Sequence, residues 1–396
     1  GDEIRMAMQT GRTDFRVLIC DCEGTSPINQ SSIEKAAGLK PEFCGTQLCR
    51  QQLGEVQSRL RNDSPLLIGC TQEAPLFLET AGVDKFGGDL RFVNIREKAG
   101  WSRDGTAAGA KMGALIAEAM LDVPGPHAVP VQSGGVVMVL GASDPALGAA
   151  RRLGQRMDVT LLLESGASVS APHTADVPIF CGTGVRAQGH LGAFKVEIEG
   201  FAAMTPSARR EIAFEAAAAG TTRSDCDIIL DLRGGTPVFN APDKRDGYFN
   251  PDPGDPAAVA NALFDIVELV GEFEKPRYVE YDETICAHGR NGIVGCTRCQ
   301  DICPAGAITP DGDKVAIDPQ ICAGCGGCAG VCPTGAVSYA MPRNDALLQR
   351  MRTLLQSFAA GGGKHPVLLF HDGDFGDEMI ATMARYYDGL TANMLP

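Results

Sequence analysis

Residues 321–333 read ICAGCGGCAGVCP, and the spacing Cys322-x2-Cys325-x2-Cys328-x3-Cys332-Pro333 decides how this part of the chain folds. Three thiols two residues apart sit on one tight loop and can grip one group together. The fourth lies beyond a turn. Gly324, Gly326 and Gly327 let the backbone wrap closely and bring N–H groups to sulfur. A second copy lies 29 residues upstream. Cys296, Cys299 and Cys303-Pro304 align with Cys325, Cys328 and Cys332-Pro333, and the trailing residues repeat as CPAGAIT and CPTGAVS. The repeat predicts a first cysteine at position 293, which is Ile293. Cys286 is the substitute: Asp282-x3-Cys286 matches Asp318-x3-Cys322, and Ile precedes each cysteine. A seven-residue insertion within AHGRNGIVG accounts for the displacement.

This spacing belongs to [4Fe–4S] ligation, in which the last cysteine of each run serves the other cluster. The block resembles two-cluster bacterial ferredoxins. The resemblance implies that Cys286, Cys296, Cys299 and Cys332 hold one cluster, and that Cys322, Cys325, Cys328 and Cys303 hold another. Zinc also takes Cys-x2-Cys pairs, but does not need eight thiolates with two Cys-Pro ends. A single cluster with Cys286 unused is the other alternative.

Outward from this block, Phe15–Cys20 (FRVLIC) reads as a strand ending in Cys20-Asp21-Cys22. Residues i and i+2 of a strand face one side, so both thiols can point at one ion. Cys70 follows a second strand, PLLIG (65–69). Cys49 falls in the first turn of a helix that would start at Thr46, where the macrodipole favours thiolate. The carboxyl ends of neighbouring parallel strands are where α/β sheets place ligands. LICDCEG, LCRQQ, GCTQEAPLF and Val93-Asn94-Ile95-Arg96-Glu97 with Trp101 together resemble the N-terminal domain of the heterodisulfide reductase A family. The resemblance implies a third [4Fe–4S] site at Cys20, Cys22, Cys49 and Cys70, with Cys44 spare. The bland alternative is a set of inert buried thiols.

In that family a flavin domain follows, opening with GxGxxG. Here the strand GVVMVL leads into Gly141-Ala142-Ser143-Asp144-Pro145-Ala146. Ser143 and Ala146 replace the second and third glycines, Asp144 adds negative charge near the phosphates, and Pro145 removes an N–H at the helix start. Glu164 still stands about where a ribose-binding acid belongs. DLRGG (231–235) replaces the later ATG element of the family. A surviving fold with a damaged FAD site is expected, and bound FAD is the alternative.

The overall expectation is a multi-domain α/β chain: parallel α/β units with an inserted two-cluster, ferredoxin-like α+β domain. Strands alternating with helices imply the parallel sheets. Four blocks are expected: 1–128 with the third cluster site, 129–280 as the flavin-domain remnant, 281–342 as the ferredoxin domain, and 343–396 as a truncated α/β segment. A capping box at Ser31–Glu34 opens the first helix. Further helices are expected at Thr106–Leu121, 207–219, 256–271 and 344–359. Pro124, Pro126 and Pro130 read as a linker, and Gly361 to Gly363 as a hinge. The stretch from Val367 (VLLFHDGDFGDEMI) resembles the small iron–sulfur subunit of hydrogenases and heterodisulfide reductases without its cysteines, which implies a docking element.

The 15 cysteines cluster in two places rather than along the whole of the 396 residues, which excludes a secreted disulfide scaffold and points to a reducing compartment. A net charge of −14 argues against nucleic acid and against anionic membrane surfaces. No apolar run is long enough to span a bilayer, and the start lacks an apolar signal segment; a cytoplasmic protein is expected. The six histidines show no metal-ligand spacing, and Cys181 and Cys226 read as packing residues. The functional expectation is an iron–sulfur electron-transfer component without substrate chemistry of its own, working between a dehydrogenase and another redox protein. Resemblance to ferredoxin-domain proteins found beside bacterial molybdenum formate dehydrogenases makes such an enzyme a candidate partner. The alternatives are a component of a flavin-dependent oxidoreductase, and a redox-sensing or assembly scaffold.

Overall fold

Val17, Leu18 and Ile19 are buried in succession, as in a strand covered on both faces of a parallel sheet. In the computed structural model, which describes residues 14–396 except 83, 84, 124, 126, 291 and 292, they belong to β1 (Arg16–Cys20). With β2 (Phe43–Gly45), β3 (Leu66–Gly69) and β4 (Leu90–Phe92), β1 forms a parallel sheet of order β2-β1-β3-β4. Helices α1 (Gln30–Ala37), α2 (Leu53–Arg59) and α3 (Ala74–Ala81) connect these strands, and α4 (Gly109–Ala119) follows. Asn29, not the expected Ser31, caps α1 by accepting the Ser32 N–H at 3.2 Å. Pro124 and Pro126 of the expected linker, and the start of the chain, lie outside the described residues.

The chain forms two compact units. One gathers the described residues of Gly1–Pro124 with Asn344–Pro396, and the other is Gly125–Arg343. In the first, the helix Asn344–Ala360 packs on α4, adding Leu354 and Phe358 to the core around β1. The glycine run that follows is no hinge. A Cβ on Gly361 would fall 2.8 Å from the Ala36 methyl and 2.9 Å from Ala110, so only glycine lets the chain pass here. The Gly363 N–H closes the helix by donating to the Phe358 carbonyl at 2.9 Å.

Lys111 on α4 points into this core and donates to the Thr391 carbonyl at 3.3 Å, while Asp104 accepts the neighbouring Ala392 N–H. Burial lowers its ammonium to about 7, against the pull of Asp104. An unfolded lysine keeps its proton to about pH 10. The cost of the buried charge is therefore complete below pH 7 and relieved as pH rises from 7 to 10. Lys111→Met is expected to raise the melting temperature at pH 6 and give no gain at pH 10, as thermal melts across that range would record.

In the second unit, β5 (Ala128–Ser133) includes Pro130, which belongs to an antiparallel ribbon with 271–276 rather than to a linker. The strands β6 (Val136–Gly141), β7 (Asp158–Glu164) and β8 (Ile179–Gly182) are joined by Ile228–Leu232 and Tyr248–Phe249. The order of these five is third, second, first, fourth, fifth, parallel throughout, the order of dinucleotide-binding sheets, and Ala202–Ala203 adds a sixth strand antiparallel to β8. Helix α5 (Asp144–Leu153) follows β6, and Pro256–Glu268 is helical, ending before the expected residue 271. The helix expected at 207–219 is absent. Ile212 is buried and Phe214 half-buried between exposed neighbours, a period of two rather than 3.6. This segment instead exchanges backbone hydrogen bonds with Val169, Ala171, Ala203 and Phe201.

The ferredoxin-type region is built from two short antiparallel ladders, Val279–Tyr281 with Val337–Tyr339 and Ile308–Asp311 with Lys314–Ile317. Two five-residue helices, Arg298–Ile302 and Gly327–Val331, pack together between them. Val279, Ile308, Val315 and Val337 form its small core.

Candidate iron–sulfur sites

The eight cysteines of the ferredoxin block divide between two small cavities. Cys286, Cys296, Cys299 and Cys332 line one. Cys303, Cys322, Cys325 and Cys328 line the other. Each cavity thus combines three cysteines of one run with the last of the other. Among the described residues no three His, Cys, Asp or Glu side chains close on a point as a single metal ion requires.

Backbone donors face several of these sulfurs. Ala307 N–H donates to Cys303 Sγ at 3.3 Å, His288 N–H to Cys286 Sγ at 3.4 Å, and Val337 N–H to Cys332 Sγ at 3.5 Å. Such bonds favour thiolate over thiol. At Cys332 burial works against ionisation, but the donors at Val337 and Thr334 outweigh it and bring the thiol below its ordinary range. Cys328 goes the other way: burial pushes it up to about 11, so metal binding there must displace a proton. Gly324 lies on the Cys322–Cys325 loop at φ +72°, and a Cβ would fall 2.7 Å from the Tyr278 ring. Tyr339 O–H donates to the Gly324 carbonyl at 2.8 Å and pins the same loop.

The first unit holds a third group. Cys20 ends β1, Cys70 follows β3, and the order β2-β1-β3-β4 reverses direction between these two strands, where such sheets bind ligands. Cys20, Cys22, Cys49 and Cys70 all line one cavity of about 240 Å³. Cys44 lies exposed on β2 and is not part of that lining. Cys49 is not in a helical first turn as expected. The Gln52 side chain accepts the Thr46 and Gln47 N–H groups at 2.7 and 2.9 Å, coiling 46–52 into turns, and α2 starts only at Leu53. The helix-dipole argument for a Cys49 thiolate therefore fails, and burial, with Glu73, raises its pKa.

The motif 93–97 builds one wall of this cavity. Asn94 accepts the Glu97 N–H, and Arg96–Gly100 form a single π-helical turn. That turn sends Arg96 to Cys22 Sγ at 3.0 Å, over the Trp101 ring at 4.1 Å, and onto Glu97 at 2.5 Å. Burial opposes the Glu97 charge, yet Arg96 and Arg385 hold its carboxyl below the usual range. Cys22 and Glu23 adopt positive φ of 51° and 61°, a strained turn secured by Thr25, whose hydroxyl donates to the Cys22 carbonyl and accepts the Trp101 Nε1–H. The sequence marks Arg96 and Trp101 as a motif, but not as a cation aimed at sulfur.

At the expected flavin site Gly141 keeps its role, since a Cβ there would fall 2.1 Å from the Ala146 methyl. Ser143 precedes α5 without a side-chain capping bond. The Asp144 carboxylate is occupied by Ser170, accepting its N–H at 2.9 Å. Glu164 has Arg233 at 3.9 Å, and Arg233 is fixed in turn by buried Asp231 at 2.7 Å. A larger cavity of about 740 Å³ in this unit is bounded by Arg245, Tyr248, Phe273 and Tyr278, and its lining includes none of Gly141, Ser143 or Glu164. Cys181 and Cys226 are buried in apolar clusters.

The chain contains a ferredoxin-type domain: the family described as a 4Fe-4S dicluster domain matches residues 294–336. That span holds seven of the eight cysteines of the block, and Cys286 precedes it. No curated protein matches the chain. Among the described residues no helix is long and apolar enough to cross a membrane. Iron–sulfur binding, and electron transfer with redox partners in general, follow from the domain.

Proposed function

We propose that this chain is an electron-transfer component carrying three [4Fe–4S] clusters, one at each cysteine-lined cavity, without a flavin of its own. It would work between a dehydrogenase and another redox protein. The observation that carries the reading is the crossed grouping of the eight cysteines, with Cys332 beside the first run and Cys303 beside the second. When bound, each cluster supplies one-electron storage. The chain's own residues hold it through thiolates, direct N–H groups at sulfur and limit access of water. Arg96 does the same at the N-terminal cavity by donating to Cys22. What supports a flavin-free reading is the chemistry at α5. Asp144 puts a carboxylate where a pyrophosphate needs donors, and Glu164 lies next to a cation instead of being free for ribose hydroxyls.

Anaerobically purified protein is expected to contain about twelve irons per chain, in three clusters. Its brown colour should bleach with dithionite, with no yellow flavin released on denaturation. Fewer than about eight irons would sink the electron-transfer reading, and stoichiometric flavin would restore the heterodisulfide reductase-like alternative. A molybdenum formate dehydrogenase is the donor to try first. Formate-dependent bleaching in its presence supports the pairing, and bleaching that is no faster than without it refutes it.

A further inference from the structure

The described residues of the insertion that displaces Cys286 are paired. Gly289–Arg290 pairs antiparallel with Ile293–Val294, and the Gly295 N–H donates to the His288 carbonyl at 2.6 Å. His288 thus stands at the base of a small hairpin, opposite Cys296. The residue is only 3% exposed and is among those lining the cavity of Cys286, Cys296, Cys299 and Cys332. Nδ1 lies 2.7 Å from the Cys296 carbonyl oxygen. That oxygen can only accept, so Nδ1 carries the hydrogen. The Gln300 amide, 3.1 Å from the same nitrogen, then fits with its oxygen turned toward it. Nε2 is left with its lone pair, buried and without any partner. An imidazole fixed through Nδ1–H on a carbonyl, with a buried and unpartnered Nε2 on a residue that lines a cysteine cavity, is the arrangement of a metal-ligating histidine.

Five residues able to donate to iron therefore line a cavity whose cluster would need four, and the geometry points to His288 Nε2 as an alternative iron ligand that takes the place of Cys286. This rests on the proposal that the cavity holds a [4Fe–4S] cluster. Cys286 is next to His288 and keeps donors of its own if it yields. The His288 N–H donates to its sulfur, and the Tyr281 hydroxyl bonds it from the ladder strand. A released thiolate would keep both donors. The exchange replaces one iron–sulfur bond by one iron–nitrogen bond without oxidation or reduction. It leaves the cluster one negative charge poorer, the direction in which histidine ligation raises the potential of Rieske centres. The inserted hairpin would then give this cluster a second ligation state that the other lacks.

The test uses the full chain, prepared anaerobically. Cys286→Ala is expected to keep its full iron content, and its reduced EPR signal should gain the nitrogen coupling of a bound imidazole. Cys286→Ala with His288→Ala should lose about four irons. His288→Ala alone should lose none, which also shows that the hairpin folds without the ring. If Cys286→Ala loses as much iron as Cys296→Ala, or His288→Ala alone loses the cluster, the alternative-ligand role is wrong while the cluster assignment stands. If Cys296→Ala loses no iron, the cavity holds no cluster and both ideas fall.

Discussion

Changing Cys303 and Cys322 to Ser together is expected to remove about four irons, no more than either change alone, whereas Cys303 with Cys296 should remove about eight. Cys303 and Cys296 are close in sequence, and Cys303 and Cys322 are far apart. A reading by sequence proximity would predict the reverse. The difference follows from the fold: the ladder of 279–281 with 337–339 joins the segments next to Cys286 and Cys332, and the ladder of 308–311 with 314–317 joins those next to Cys303 and Cys322. Two thiols on one cavity fail together, because losing one corner already releases the cluster. Iron analysis with EPR of the reduced variants checks this. A double Cys303/Cys322 variant that loses about eight irons would break the crossed assignment.

Cys49→Ser is expected to lower the iron content from about twelve to about eight per chain and abolish one EPR component, while Cys44→Ser leaves both unchanged. The two residues are five positions apart and are both free thiols. Only Cys49 is carried by the Gln52-capped turn into the cavity with Cys20, Cys22 and Cys70. Equal effects of the two changes would reject the N-terminal ligand set.

How much of this is legible in the sequence depends on the range of the interaction. The paired cysteine runs and the apolar strands at β1, β3 and β6 are written in local spacing, and the structure keeps them. The stretch 207–219 is not legible, because its alanines favour helix while the alternation at Ile212 and Phe214 serves a distant partner at Val169. Neither is the Cys49 turn, decided by one glutamine side chain three residues later. His288 carries no spacing signal at all, since the hairpin that aims it is an interruption of the repeat. The flavin motif is visible as a defect in sequence, but its occupation by Ser170 and Arg233 depends on residues far away in the chain.

The split first unit has a consequence for how the protein matures. Leu395, fully buried beside β1 in one core, and Arg385, which bonds Gln72 and Glu97, are made after Gly125–Arg343 is complete. During synthesis Cys20 to Cys70 leave the ribosome before the ferredoxin cysteines yet wait longer for the segment that completes their core. The ferredoxin cysteines have all their partners as soon as residue 343 has emerged. Loading of iron should therefore run against the order of the two groups in the chain, with the ferredoxin cavities filled before the site of Cys20 to Cys70.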